Sequence, residues 1–367
     1  MKIFDEILEG YVLPYTFKDE INEEDLLFFD IETTGFTAES SDLYLIGCAF
    51  KEDKNWHIKQ FFAENASEEA LIIENFFHLA NNYKHLVHFN GNHFDLPYVT
   101  KKCEKLSLPY SFDEFTGMDI YKRISPYKYF LKLPNCKQKT IEAFLGIERN
   151  DEYTGGELIK IYKEYVLSPS EEALNLLILH NLEDIKGMLK IVPVMAYYDL
   201  FNSEIKARKV QINSYTDLNG IVQKELFMKL QLNTPLPVAT SFMSNNCYFT
   251  GDNDTAVLKV PLYEEELKYF YSNYQDYYYL PEEDLAMHKS VATFVDKDCR
   301  EKATARNCYT RKQSVYLPQW DYIFEPFFKR DYVSTELFFE LTDELKADRS
   351  AFNTYAEHVL EMMLTNF

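Results

Sequence analysis

The stretch LLFFDIET, residues 26–33, limits the fold of this chain more than any other, because an uninterrupted apolar run passes directly into two acids. Leu26 to Phe29 are all apolar, Asp30 follows, and Glu32 stands two residues later. A short apolar run that ends at a turn predicts a buried strand, and residues two apart on a strand point to the same face. Paired carboxylates at the rim of a core repel each other unless a cation compensates them, and oxygen ligands suit Mg²⁺ or Mn²⁺. The alternative is a surface turn that happens to contain two acids.

The first half of the chain alternates strand-like and helix-like patterns. We predict strands at 26–31, 43–50, 56–62 and 85–89, and helices at 67–82, 95–106, 138–145, 156–167 and 170–191. Ser168 or Ser170 is the predicted N-cap of the last helix, and Pro193 predicts that this helix ends or kinks near Ile191. Three strands before the first helix predict an antiparallel meander, and the later alternation predicts parallel strands. The expected class is therefore α/β, a mixed sheet with flanking helices.

The second half has a different pattern. We expect a short helix at 222–230 between loops at 213–220 and 233–237, two strands within 247–263, helices near 267–279 and 284–295, a strand in 302–312, and a helical tail at 334–367. These elements predict a smaller α+β domain. The predicted boundaries are an N-terminal arm at 1–21, an α/β domain at 22–200 and the α+β domain at 201–367, for which nucleic-acid binding is one possible role.

Charge and composition restrict the class of partner. The net charge of −21 argues against a nucleic-acid ligand, since phosphate affinity comes mainly from Lys and Arg. Two local runs oppose this: 122–139 holds six basic residues and no acid, and 289–312 has a local charge of +4. The first run also contains Tyr121, Tyr127, Tyr129 and Phe130, a mixture that suits a groove for a single strand. The alternative is that both runs are solvated surface.

The chain has none of the usual signs of export or membrane insertion. No apolar run reaches the ~20 residues of a membrane helix, and the first ten residues lack the apolar core of a signal peptide. The six Cys form no CxxC pair, so neither a zinc site nor a disulfide framework is indicated. We therefore expect a soluble, cytoplasmic protein without a membrane partner.

Two further segments carry acids in suggestive positions. In HFNGNHFDLPYV, residues 88–99, Asp95 falls in the first turn of a predicted helix. In LHNLEDIKGM, residues 179–188, His180 and Asp184 are four apart and so share one helix face. Taken alone, a His–Asp pair at this spacing is usually a surface contact.

Together, FDIETTGF, FNGNHFDLPYV and HNLEDI resemble the three motifs of the DEDD superfamily of 3′–5′ exonucleases, which have the RNase H-like fold. The stretch LPNCKQKTIEAFLGIERNDEYTGGELIKIYKEYV is similar to the YprB-like branch of predicted exonucleases. The resemblance covers residues 22–195. The third motif departs from the family pattern, because the superfamily has either a Tyr four residues or a His five residues before its last Asp, whereas here a His stands four before.

The resemblance implies a site and a reaction. Asp30, Glu32, Asp95 and Asp184 would hold two divalent ions, Mg²⁺ or Mn²⁺, and His180 would be the general base. Thr33, Asn90 and Phe94 would contact a terminal nucleotide of single-stranded RNA or DNA, although core packing is an equal alternative for Phe94. Asp119 would be structural or would support the metal ligands.

The expected function is metal-dependent hydrolysis of nucleic acid, as a 3′–5′ exonuclease on single strands. An RNase H-type endonuclease is one alternative. A non-catalytic binding or scaffold protein with a relict nuclease fold is another.

Overall fold

Residues 1–18, 21–149, 153 and 155–365 are described by the computed structural model. By internal packing they divide into two units, 1–199 with 236–238, and 200–235 with 239–367. Residues 150–152 and 154 of the YprB-like stretch, and the last two residues of the predicted tail, lie outside the described residues.

The first unit is built on a six-stranded mixed sheet with the order β1-β4-β3-β2-β5-β6. The strands are β1 (Lys2–Leu8), β2 (Leu26–Thr33), β3 (Leu43–Glu52), β4 (Asn55–Phe62), β5 (His85–His88) and β6 (Thr116–Asp119). β1 pairs with β4, β4 with β3, and β3 with β2, all through antiparallel ladders, whereas β5 lies parallel to both β2 and β6. The predicted mixed sheet, with an antiparallel meander followed by parallel strands, is confirmed.

Helices flank this sheet. They are α1 (Glu69–Ala80), α2 (Asp95–Leu106), α3 (Ile120–Ile124), α4 (Gln138–Phe144), α5 (Gly155–Leu167), α6 (Glu171–Ile191) and α7 (Ala196–Asn202). Ser170 caps α6 by accepting the Ala173 N–H, and α6 ends at Ile191 as Pro193 predicts. Short 3₁₀ helices occur at Glu23–Asp25, Ala66–Glu68, Ser125–Tyr127 and Val192–Met195.

Alternation along β2 separates its apolar side chains from its acids. Leu27, Phe29 and Ile31 join the core formed with α1 and α2, which includes Ile72 and Phe76. Side chains alternate in a strand, so Asp30 and Glu32 point to the opposite face of the sheet, the face from which α6 contacts β2 and β3. The hydrophobic pattern of β2 thus fixes which helix meets the two acids.

The N-terminal residues differ from the prediction of an arm. Lys2–Leu8 form edge strand β1 on β4, with an exposure that alternates along the strand. Its exposed positions are Ile3, Asp5 and Ile7, and Glu6 lies on the less exposed face, so apolar and polar residues do not alternate with exposure and the strand is hard to predict from the sequence.

The second unit holds a second six-stranded sheet, with the order β14-β15-β13-β9-β8-β7, and a three-stranded sheet, β11-β10-β12. Its strands are β7 (Lys206–Thr216), β8 (Val222–Ser244), β9 (Cys247–Phe270), β10 (Tyr277–Leu280), β11 (Leu285–His288), β12 (Glu301–Lys302), β13 (Tyr309–Gln319), β14 (Phe327–Phe328) and β15 (Leu337–Glu340). Its helices are α8 (Lys289–Ala292), α9 (Asp343–Ala347) and α10 (Arg349–Leu364), and 3₁₀ helices occur at Tyr274–Asp276 and Lys297–Cys299. The prediction of a further domain with strands and helices is confirmed.

Several element assignments in this unit were wrong. The helix predicted at 222–230 and the loop predicted at 233–237 both lie in β8, where Leu226, Met228 and Leu230 are buried at every second position. That period of two outweighs helix propensity. The helix predicted near 267–279 is instead the end of β9, a 3₁₀ turn and β10.

The remaining differences are smaller. The helix predicted at 284–295 is β11 followed by the four-residue α8, and residues 303–308 of the predicted strand 302–312 lie outside strands. The predicted loop at 213–220 begins inside β7, and the predicted helical tail contains strand β15. No helix within the described residues is both long and apolar enough to cross a bilayer.

Candidate active site

Strand β2 and helix α2 bring the first three candidate acids together. β5 pairs with β2 only as far as Phe28, so the end of β2 extends beyond its parallel neighbour. There the Ile31 N–H donates to Asp95 Oδ1 at 3.2 Å. Asp95, the first residue of α2, is buried. The same short segment of β2 therefore carries Asp30 and Glu32 as side chains and anchors Asp95 through its backbone.

Helix α6 presents the third motif to this strand end. His180 Nε2 lies 3.4 Å from Asp184 Oδ2 and 3.7 Å from Glu32 Oε1. In the part of the chain that the structure describes, Glu32, His180 and Asp184 form a group whose ligand atoms all lie within 4.8 Å of one another. Asp30 and Asp95 are outside that group. The His180–Asp184 spacing thus places His180 against the acids rather than on an exposed face.

A neutral amide holds Asp30. Asn181 Nδ2 donates to Asp30 Oδ2 at 3.0 Å, and Gln60 Nε2 donates to Asn181 Oδ1 at 2.9 Å. Asp30, Gly47 and Gln60 stand side by side across β2, β3 and β4. A Cβ on Gly47 would come within 2.0 Å of Asn181 Oδ1, so the glycine makes room for the amide.

A partly buried ion-pair network holds Asp184. Arg149 Nη2 donates to Asp184 Oδ1 at 2.8 Å, and Arg149 Nη1 contacts both carboxylate oxygens of Glu142 at 3.0 and 3.2 Å. Gln138 Nε2 bonds the backbone oxygen of Asp184 at 2.8 Å and Glu142 Oε1 at 3.0 Å. One oxygen of Asp184 thus faces Arg149, and the other faces His180.

Burial and crowding of negative charge raise two pKa values. Burial, then the charges of Asp95, Asp184 and Glu32, hold the pKa of Asp30 well above its ordinary 3.8. Burial raises the pKa of Asp95 to about 7, against the opposing effect of backbone N–H groups. When no metal ion is bound, the raised pKa values favour the protonated form of both carboxyl groups.

The donor set fits a hard divalent cation. The donor to Asp30 is the uncharged amide of Asn181, and the pKa of Asp30 is raised first by burial and then by the charges of Asp95, Asp184 and Glu32. Carboxylate oxygens are the donors that Mg²⁺ and Mn²⁺ prefer, and an imidazole is an acceptable additional ligand for Mn²⁺. A cation would replace the protons on these carboxyl groups.

The predicted substrate residues lie around this edge. Thr33 Oγ1 donates to the Gly35 carbonyl at 2.8 Å, which shapes the turn after β2. Phe94 precedes α2, packs against the core and approaches the rings of Tyr98 and Phe36. Asn90 has a φ of 62° and donates its backbone N–H to Asp119 Oδ1 at 2.9 Å.

Asp119 organises the loop before α2. It is buried and accepts the N–H groups of Asn90, Asn92 and Lys122. The last of these bonds caps α3. The structural alternative for Asp119 therefore accounts for its contacts.

The aromatic residues of the basic run differ in exposure. Tyr127 and Phe130 are buried, whereas Tyr129 is exposed and lies beneath the Lys128 ammonium. Tyr127 and Phe130 thus belong to the core and do not line a surface groove.

Sequence reasoning missed several residues of the site. Phe36 follows the Thr33–Gly35 turn, is 90% exposed and meets Phe94 edge to face. The sequence feature that could have identified Phe36 is a large aromatic residue in a turn directly after a candidate ligand. For Gly47, the signal was a glycine within a central strand, which often marks close approach by another group.

Residues 27–196 match the RNase_H_2 family model of the RNase_H superfamily. No curated protein matches the chain. Among solved structures, E. coli exonuclease I in complex with a dT13 oligonucleotide is similar, with 11% sequence identity and a TM-score of 0.32. The match covers 56% of this chain and 55% of the exonuclease chain.

Two further solved structures are similar at the same distant level. An ExoI/SSB-Ct complex matches with 10% identity, 56% of this chain and 54% of that chain covered, and a TM-score of 0.34. The family B DNA polymerase from the archaeon Pyrobaculum calidifontis matches with 14% identity, 68% of this chain and 35% of that chain covered, and a TM-score of 0.32. This chain thus spans about half the length of the exonuclease I chains that it matches.

Membership of the DEDD superfamily and of its YprB-like branch stays a prediction. The mixed sheet and the family match agree on the coarser assignment. Residues 27–196 form an RNase H-like domain.

Proposed function

We propose that this protein hydrolyses phosphodiester bonds of single-stranded RNA or DNA with divalent metal ions and removes nucleotides from the 3′ end. The observation that carries the proposal is the gathering of four acids from β2, α2 and α6 around one strand end of an RNase H-like domain. The surroundings of Asp30 support it, because this buried acid lies among the charges of Asp95, Asp184 and Glu32 and accepts a hydrogen bond from the uncharged amide of Asn181.

The chain's own residues have distinct roles in this proposal. Asp30, Glu32, Asp95 and Asp184 hold Mg²⁺ or Mn²⁺, which when bound supplies an activated water and stabilises the leaving oxygen. Asn181 fixes the orientation of Asp30 through its amide. The rigid end of β2 keeps two of the ligands in register.

His180 is the proposed general base. Its Nε2 faces Asp184 and Glu32 and is buried beside them. A neutral imidazole can accept a proton from water near neutral pH. The competing role is that of a metal ligand, which the 4.8 Å group with Glu32 and Asp184 permits.

Phe36 and Phe94 are proposed to stack on the terminal bases. Phe36 is exposed directly beyond the strand that carries the acids, and the ring of Phe94, just before α2, contacts it edge to face. Aromatic stacking tolerates every base, which suits an enzyme without sequence preference. Thr33 and Asn90 remain proposed substrate contacts.

Product analysis on end-labelled strands tests the proposal. Single-stranded RNA and DNA oligonucleotides with a 5′ label are incubated with Mn²⁺ or Mg²⁺. We expect a ladder that shortens stepwise from the 3′ end, no products in EDTA, and resistance of strands with a blocked 3′ terminus.

Circular single strands and an inactive variant separate the rival functions. Cleavage of circles would indicate an endonuclease of the RNase H type and contradict the exonuclease proposal. Absence of metal-dependent products from both linear RNA and linear DNA, with binding retained, would favour a relict fold. The matched control is Asp30→Asn, which keeps the shape of Asp30 and removes its charge.

A further inference from the structure

A largely buried ion pair outside the predicted ligand set lies next to Asp184. Glu142 is 1% exposed and belongs to α4, and Arg149 follows α4 in the chain. The Arg149 guanidinium bridges Glu142 and Asp184 through two different nitrogens. Both residues lie in the YprB-like stretch, but neither belongs to the three motifs that indicate the candidate site.

The surrounding structure is shaped to hold this pair. Glu142 Oε1 lies where a Cβ on Gly187 of α6 would stand, within 2.1 Å, so α4 can approach α6 because residue 187 is glycine. Gln138 ties Glu142 to the Asp184 backbone. A buried carboxylate and guanidinium lose hydration that their attraction only partly repays, so such a pair is weak evidence for stability and calls for another role.

We propose that Arg149, held by Glu142, is a positioning residue that orients the Asp184 carboxylate for a divalent ion. Arg149 binds Asp184 Oδ1, which leaves Oδ2 turned toward His180 and Glu32. Fixing one oxygen with a planar donor determines where the other points. This inference rests on the proposed function, because it takes Asp184 to be a metal ligand.

The opposite role predicts the opposite result. If Arg149 were a cation that competes with the metal for Asp184, its removal would strengthen metal binding. If it positions Asp184, removal weakens binding, because the carboxylate then becomes free to rotate. The direction of the change in affinity therefore distinguishes the two roles without any measurement of hydrolysis.

Mn²⁺ binding, followed by the loss of the free-ion signal in electron paramagnetic resonance, is the test. We expect Arg149→Gln and Glu142→Gln each to weaken Mn²⁺ binding ~10–100-fold, the usual effect of losing a residue that orients a ligand. Arg149→Lys should also weaken binding, since an ammonium lacks the planar fork that reaches both carboxylates. The matched control is Lys186→Gln, which removes a positive charge from the same helix as Asp184, where Lys186 pairs with Glu6.

Each outcome decides the proposal. Unchanged or tighter Mn²⁺ binding in Arg149→Gln would overturn it, as would full rescue by Arg149→Lys. Thermal unfolding in EDTA checks that the variants are folded, and Glu142→Gln, which retains the guanidinium, gives the answer if Arg149→Gln does not fold. A wild-type protein that binds no Mn²⁺ would refute the proposed function itself, and the inference with it.

Discussion

Replacing Asp95 by Asn should stabilise the metal-free protein. Asp95 is buried, and its pKa rises from 3.8 to about 7 on folding. A carboxyl group with a raised pKa binds its proton more tightly in the folded state, so its stabilising effect is present at low pH and is lost as the pH rises through about 7. The wild-type domain should therefore be less stable at pH 8 than at pH 5 in EDTA.

The size of the effect follows from the two pKa values. At about 1.4 kcal/mol per pH unit, ionising Asp95 in the folded state costs about 4 kcal/mol at pH 8 relative to the unfolded chain. Asn resembles the protonated carboxyl and avoids this cost. At pH 5 the folded wild type keeps its proton, and the advantage of the variant falls to about 2 kcal/mol.

Urea unfolding in EDTA measures this difference. One of the two tryptophans, Trp56, is buried in the first unit, so a Trp320→Phe background makes fluorescence specific for it. Glu114→Gln, at an exposed position, is the control and should change little. Equal or lower stability of Asp95→Asn at pH 8 would refute the reasoning, as would an advantage that grows toward pH 5. Added Mn²⁺ should stabilise the wild type more than the variant.

Three further substitutions test other parts of the site. Asp30→Asn should nearly abolish hydrolysis while preserving the far-ultraviolet circular dichroism spectrum, and activity near wild type would remove Asp30 from the mechanism. His180→Ala should lower kcat ~10²–10⁴-fold and leave Mn²⁺ affinity little changed; a large loss of affinity would instead make His180 a ligand. Gly47→Ala should force Asn181 away from Asp30, because its Cβ would come within 2.0 Å of Asn181 Oδ1. We expect a loss of about 1–3 kcal/mol in unfolding free energy from this overpacking, together with reduced activity, and a variant equal to wild type in both would contradict the proposed role of the amide.

The first unit was more predictable from sequence than the second, for a physical reason. The α2 helix begins and ends at the predicted residues, Asp95 and Leu106, because periodic apolar residues mark a helix packed on one side of a sheet. In β8 a helix was predicted at 222–230, although Leu226, Met228 and Leu230 alternate as in a strand, and the strand continues over 23 residues that include prolines. Local patterns do not indicate that a strand of this length has partners on both sides.

The site was predictable where its residues lie in short motifs and unpredictable where distant residues meet. Asp30 and Glu32 could be identified from a single strand. The bond from Asn181 to Asp30 joins residues 151 apart in sequence, and the bond from Arg149 to Asp184 joins residues 35 apart. No periodicity or spacing encodes such pairs, because they depend on which face α6 presents to the sheet and on where glycines permit close approach.

The most direct test of the central claim is the anomalous scattering of Mn²⁺ in crystals of the protein grown or soaked with the ion. We predict anomalous peaks among the carboxylates of Asp30, Glu32, Asp95 and Asp184, with metal–oxygen distances of ~2.0–2.3 Å, and loss of a peak in Asp30→Asn crystals prepared in the same way. The absence of any peak at these carboxylates in wild-type crystals, at Mn²⁺ concentrations that support hydrolysis, would contradict the account.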